Sequence, residues 1–160
     1  MATMQKITTN LWFDTEAEEA ANFYTSIFKN SRVTKVLHYG EAGPRPAGMV
    51  LTVTFELEGQ EFTAINGGPD FKFTEAISLL VNCESQGEVD EYWDKLSEGG
   101  EKGPCGWLKD KFGLSWQVSP TILEEMLQDE DANKADNVMR AMLNMGKIEI
   151  EDLERAYADA

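Results

Sequence analysis

The sequence of 160 residues predicts an α+β fold of two repeated βαβββ modules with a helical C-terminal extension. Three features carry this expectation. Runs of period two and runs of period 3.6 follow one another in the order strand, helix, strands, and the same order then recurs. Each of the two helices opens on a hydroxyl residue with a glutamate three positions later, Thr15–Glu18 and Ser85–Glu88, and these pairs stand 70 residues apart (85 − 15). Beyond residue 120 only helical spacing remains. The expected organisation is one paired domain over 1–120, with modules of about 1–68 and 74–120, and 121–160 as a helical extension of the same domain.

Taken in order, residues 7–13 (ITTNLWF) read as a strand. Thr15 with Glu18 has the spacing of a capping box, in which each side chain satisfies a free N–H at the other residue. Ala17, Ala20, Ala21, Tyr24, Ile27 and Phe28 then fall on one helical face, and Asn30 is the stop. Strand-like runs follow over 32–39, 49–58 and 61–66. In the second of these Val50, Thr52, Thr54, Glu56 and Glu58 alternate with Leu51, Val53, Phe55 and Leu57. Gly43-Pro44-Arg45-Pro46 is a loop, because proline cannot donate to a sheet ladder.

The second pass begins with a strand over 76–83 (AISLLVNC). Ser85 opens a helix whose apolar stripe is Val89, Tyr92, Trp93 and Leu96, ended by Gly99-Gly100. A strand pair over 105–109 and 115–119 turns near Phe112-Gly113. Thr121 and Glu124 form a third capping-box spacing. Ala135, Val138, Met139, Met142 and Met145 make an apolar stripe ended by Gly146, and Ile150, Leu153, Ala156 and Tyr157 mark a last helix. That stripe needs a surface to cover, either the chain's own sheet or a partner subunit.

Composition excludes several classes of function. Fourteen basic against 29 acidic residues give a net charge of −15, and the basic residues are scattered, so no nucleic acid is expected as a partner. Residues 1–10 lack the basic and apolar regions of a secretion signal, and no apolar run approaches the length of a membrane span, so a cytoplasmic protein without a membrane partner is expected. Cys83 and Cys105 form no CxxC pair and have no histidine nearby, which points to reduced thiols. A catalytic role for Cys105 would need a base or cation, and only Lys102 and Lys109 are near; a buried structural thiol is the plainer expectation. Trp93, Trp107 and Trp116 read as core or interface.

LWFDTEAEEAANFYTSIF (11–28), SRV (31–33), EVDEYWDKLSEGG (88–100) and CGWLKDKFGLSWQVSP (105–120) resemble the PhnB-like branch of the glyoxalase/bleomycin-resistance/dioxygenase superfamily, the vicinal oxygen chelate proteins. MRAMLNMGKIEIEDLERAY (139–157) is similar to an extension many such proteins carry. The resemblance implies the glyoxalase-like half-barrel and pairing of halves within or between chains, hence a homodimer. It also brings a 3-demethylubiquinone methyltransferase label, but the chain has no glycine-rich strand-to-helix turn to cradle S-adenosylmethionine and no doubly wound order of elements.

The resemblance further implies a divalent metal held by His or Glu on four strands. Carried over residue by residue, those places fall at Thr8, at Ser78, at Gln117 four residues beyond the Asp110-x-x-Gly113 turn, and near Phe62 or Ala64. Two hydroxyls, an amide and an apolar side chain lack the carboxylate or imidazole that repays a cation's dehydration. His38, the only histidine, lies on another strand. No metal and no other cofactor are therefore expected.

Strand alternation then sorts the faces. Thr8, Asn10 and Trp12, with Ser78, Leu80 and Asn82, and with Ser115, Gln117 and Ser119, are turned away from the helices. The candidate ligand-binding set is Thr8, Asn10, Trp12, Ser78, Leu80, Ser115 and Gln117, a neutral polar lining suited to a small, mostly uncharged organic molecule. The alternative is that these groups only satisfy one another in a filled interior. No catalytic residue is assigned. Three functions stay open: a metal-independent small-molecule binding protein; a lyase, isomerase or dioxygenase with a degenerate metal site; and a structural or regulatory dimer.

Overall fold

A computed structural model describes residues 4–160. Residues 1–3, the start of the first expected module, lie outside the described residues. The chain divides into two units between Lys72 and Phe73.

The first unit runs β1 (Thr9–Phe13), α1 (Ala17–Ile27), β2 (Arg32–His38), β3 (Val50–Leu57) and β4 (Gln60–Asn66). Its sheet has the order β1-β4-β3-β2, with β1 parallel to β4 and the other pairs antiparallel. Ala17, Ala20 and Ala21 are fully buried, and their small side chains let α1 lie close on the sheet. Tyr24 reaches over Phe55 at 6.1 Å between ring centroids, and Phe55 stacks on Phe62 at 5.6 Å. Each such buried side chain contributes roughly 1.5–3 kcal/mol.

The first cap differs from expectation. Thr15 does not cap α1; its N–H donates to Glu16 Oε2 at 3.0 Å. The orphan N–H of Ala17 donates instead to Asn66 Oδ1 at 2.8 Å, a side chain from the far end of β4. Asn66 is 2% exposed, its Nδ2 donates to Val50 O at 3.0 Å, and its carbonyl accepts from Tyr39 Oη at 2.6 Å. A long-range amide outcompetes the local hydroxyl because it satisfies a buried donor that water cannot reach.

The second unit repeats the order: β5 (Ser78–Cys83), α2 (Gln86–Ser97), β6 (Glu101–Lys102), β7 (Trp107–Lys109) and β8 (Ser115–Pro120). Its sheet runs β5-β8-β7-β6, again with the first pair parallel. The two-residue β6 is absent from the sequence expectation, since Glu101-Lys102 offers no apolar alternation. Ser85 caps α2 as expected, accepting from Glu88 N–H at 3.2 Å, but Glu88 Oε1 accepts from Glu84 N–H rather than from Ser85.

The tail forms α3 (Thr121–Leu127), α4 (Ala132–Leu143) and α5 (Ile150–Ala158). Thr121 is the first residue of α3, and no side chain caps that helix. The apolar stripe of α4 packs on the other tail segments rather than on a sheet. Val138 is buried with Leu123, Met126, Ile148 and Leu153, and Met142 and Met145 pack around them, so the three helices bury one another. Met139, assigned to the same stripe, is exposed.

Backbone and side-chain bonds fasten this cluster to the second module. Cys105 and Gly106 N–H donate to Met145 O and Gly146 O, both at 2.8 Å. The amide of Gln86 donates to Ile148 O at 3.0 Å and accepts from Ile150 N–H at 2.7 Å, while Lys147 pairs with Asp90 at 2.7 Å. Gly106 has φ +83°, and a Cβ there would lie 2.7 Å from Val118 O and 3.1 Å from Ile148 Cγ1, so only glycine admits the tail at this point. No helix among the described residues is long and apolar enough to cross a membrane.

Candidate functional site

The turn before β8 sets the site. Asp110, 2% exposed, accepts at Oδ1 from Phe112 N–H (2.9 Å) and Leu114 N–H (3.1 Å), and at Oδ2 from the Trp116 indole N–H (2.9 Å). Gly113, at φ +89°, closes the turn. With Trp116 tied down on the α2 side together with Val118, alternation sends Ser115, Gln117 and Ser119 to the opposite face.

On that face the register forms two rows. Ser78, Ser115, Lys109 and Glu101 lie in line across β5, β8, β7 and β6, and Leu80, Gln117 and Trp107 form the next row. Gln117 Nε2 donates to Ser78 Oγ at 2.9 Å, so two of the expected site residues are joined. Ser115, 1% exposed, has a hydroxyl oxygen removed from solvent and without a hydrogen-bond partner. Lys109 is ion-paired with Glu75, which stands three residues before β5, although β8 lies between β5 and β7 in the sheet. The hydrogen bond between them holds the Glu75 carboxyl below, and the Lys109 ammonium above, their ordinary pKa values. A cleft of about 260 Å³ opens here, lined by Glu75, Glu101, Lys102, Trp107, Lys109 and Ser115 among others. Leu80, also in the expected set, is 51% exposed on the edge strand β5.

Thr8, Asn10 and Trp12 belong to the first unit. Asn10 is exposed and donates to Thr8 O at 3.1 Å. Trp12 is on the expected face but is not an open wall: its indole N–H donates to Gly68 O at 2.9 Å and its ring meets Phe71 at 4.9 Å. A Cβ on Gly67 would collide with the Trp12 ring, so the 67–71 segment is a cover shaped to this side chain.

The fourth carried-over position needs correction. Phe62 and Ala64 are buried, like the other α1-facing residues of the sheet, and a one-residue slip in a strand exchanges its faces. Asn10 pairs with Thr63 as Leu80 pairs with Gln117, and Asn10 and Leu80 are 70 residues apart (80 − 10), which makes Thr63 the counterpart of Gln117. The carried-over places are thus Thr8 and Thr63 in the first unit, and Ser78 and Gln117 in the second. All are neutral, and the Gln117 amide nitrogen is turned toward Ser78 as a donor. Neither pair supplies the carboxylate or imidazole that a divalent cation requires. Among the described residues no group of three or more His, Cys, Asp and Glu could hold a metal ion. His38 is exposed on β2.

Neither cysteine joins the cleft's lining. Burial, with Glu88 a lesser cause, pushes the Cys83 thiol up to about 12, which leaves it inert. Cys105 is half-buried rather than buried, in the turn that receives the tail, with φ +57°.

Trp107, read from the sequence as core or interface, lines the cleft; strand alternation puts it on one face with Lys109, and its pairing with Gln117 is the signal that finds it. Glu75 was not legible: nothing local shows that the segment before β5 meets β7.

The sequence profile of the family described as 3-demethylubiquinone-9 3-methyltransferase matches residues 5–119. A PhnB protein from Bacillus cereus is 43% identical over 73% of this chain and 100% of its own, with a TM-score of 0.65. Protein PA1353 from Pseudomonas aeruginosa is 20% identical over 73% of this chain and 98% of its own, with a TM-score of 0.61. The fosfomycin resistance protein FosX from Listeria monocytogenes, in complex with Mn(II) and sulfate, is 18% identical over 79% of this chain and 100% of its own, with a TM-score of 0.56. The last two share the fold. A comparison with curated proteins finds no match.

Proposed function

From the premise that the chain belongs to the family described as 3-demethylubiquinone-9 3-methyltransferase, in the PhnB-like branch of the glyoxalase-like superfamily, we propose that it binds a small, neutral organic molecule on the β5–β8–β7 face without a metal. The observation that carries this reading is the 2.9 Å bond between Gln117 and Ser78. Two positions at which the superfamily implies metal ligands are here occupied by neutral groups bonded to each other. An amide and a hydroxyl both donate and accept, so they orient an uncharged ligand where a carboxylate would demand a cation.

The methyltransferase activity in the family's description is not carried over. The βα junctions 13–17 (FDTEA) and 83–87 (CESQG) lack the run of glycines that lets a backbone approach such a cofactor. Enzymatic use of the metal FosX binds is likewise not carried over, for want of ligands. A cytoplasmic homodimer completes the proposal. The pairing rests on the family alone, now that the tail helices cover one another. Sedimentation at micromolar concentration tests it, a dimer being expected and a monomer contradicting it.

Elemental analysis of the purified chain tests the central reading. The expected result is a trace of divalent metal far below one ion per chain. About one ion of zinc, nickel, iron or manganese per chain would contradict it.

A further inference from the structure

Resting on the reading above, we propose that the ligand's recognition point is the buried hydroxyl of Ser115, and that the Glu75–Lys109 ion pair is a strap through which a neutral aromatic amide-like molecule enters. A hydroxyl withdrawn from water without a partner is unfavourable by about 1–3 kcal/mol, and natural structures keep few of them. Ser115 is such a group, 1% exposed, in the wall of a cleft of about 260 Å³. A ligand carbonyl or N–H placed there would remove the cost, because a serine hydroxyl can either donate or accept.

The other walls select the rest of the ligand. Trp107 lines the cleft, and an indole there favours a ligand that carries a flat ring. The charged residues of the cleft balance, with Glu75 and Glu101 against Lys102 and Lys109, so no net charge attracts an ion. A free carboxylate would compete with Glu75 for Lys109 and with Asp94 for Lys102, on a chain of net charge −15. A cleft of this size holds one substituted ring.

The strap follows from position. Ser78, Ser115 and Lys109 lie in one row, and Glu75, from the segment before Ser78, pairs with Lys109 where both line the cleft beside Ser115. The pair is exposed, with side-chain accessibilities of 41% and 61%, and such pairs are weak and screened by salt. Opening it uncovers the approach to Ser115 at little cost.

Benzamide is the probe, compared with benzoate, in amide-resolved NMR titrations of the whole chain. Benzamide is expected to bind with a dissociation constant on the order of 1 mM, as suits so few atoms, and to shift the signals of Glu75, Trp107, Lys109 and Ser115. Benzoate is expected to bind at least about tenfold more weakly. Ser115→Ala, which keeps the fold by removing an unsatisfied group, should weaken benzamide about fivefold. Glu75→Gln, or added salt with the parent chain, should tighten it by up to about fivefold, although the probe itself is uncharged. Benzamide binding indifferent to salt and to Ser115→Ala would overturn the proposal. If benzamide fails while another neutral compound moves the signals of Ser78 and Gln117, this inference falls and the reading it rests on survives. If no neutral compound moves that face, both fall.

Discussion

The indole N–H of Trp116 donates to Asp110 Oδ2 at 2.9 Å, six residues back in the chain, and this bond fixes Trp116 on the face of β8 opposite Ser115 and Gln117. The carboxylate holds two backbone N–H groups of its own turn as well. Asp110→Ala would leave three donors without their acceptor in a dry place. The expected loss is about 3–5 kcal/mol in urea unfolding, and Asp110→Asn, which sets an amide against the Trp116 N–H, should cost about 1–3 kcal/mol. A change below about 0.5 kcal/mol for Asp110→Ala would show that the turn does not set the strand.

Asn66 and Thr15 offer a paired test of the first helix. Asn66→Ala removes the acceptor of the buried Ala17 N–H and the donor to Val50, and should cost about 2–3 kcal/mol. Thr15→Ala should change stability by less than about 0.5 kcal/mol, as surface substitutions do. Equal costs would restore Thr15 as the cap. Chemical denaturation of both variants checks this.

These two residues mark how far the sequence could be read. The period-two and period-3.6 runs gave the order of the strands and helices, because alternation and helical stripes are local signals. The faces of β1, β5 and β8 followed from the same alternation. Caps were less legible. Ser85 caps its helix, but Thr15 and Thr121 share its spacing and do not, because a cap competes with whatever distant group the fold delivers, here Asn66. The one-residue error at Phe62 and Ala64 has a similar origin: without a known partner strand, register is unspecified, and a slip of one reverses the faces. The tail's self-burial and the Glu75–Lys109 pair lie wholly in tertiary contacts, which no local pattern encodes.

Gly106 is where the tail meets the second module. Gly106→Ala forces a side chain into the positive-φ region and against Val118 O and Ile148, and should cost about 2–4 kcal/mol. Ile148→Ala, emptying a fully buried site, should cost about 2–5 kcal/mol. Removal of 121–160 should make the chain aggregate, because it uncovers the surface on which Ile148 rests. A soluble truncation as stable as the parent in thermal melts would show the tail to be independent of the module.

The two thiols should differ in reactivity. Cys83 is buried with its pKa pushed up to about 12, and Cys105 is half-buried in a turn. With a chromogenic disulfide at pH 8, the native chain should release about one equivalent promptly, from Cys105, and the second only on unfolding. Because the folded pKa of Cys83 is raised above its unfolded value, its contribution to stability is fully present below about pH 8.5 and is lost as pH rises toward about 12. Prompt release of both thiols at pH 8 would contradict this burial.

The account's central claim is that neutral groups at Gln117 and Ser78 serve an organic ligand rather than a cation. Thermal melts of the whole chain with excess chelator, against a panel of small neutral organic compounds, test it most directly. A ligand that binds only the folded state raises the melting temperature, and at about one hundred times its dissociation constant it adds about 2.7 kcal/mol. The account predicts that at least one neutral compound raises the melting temperature with chelator present, and that Gln117→Ala abolishes the rise. Stabilisation that appears only on adding a divalent cation, and vanishes with chelator, would contradict it.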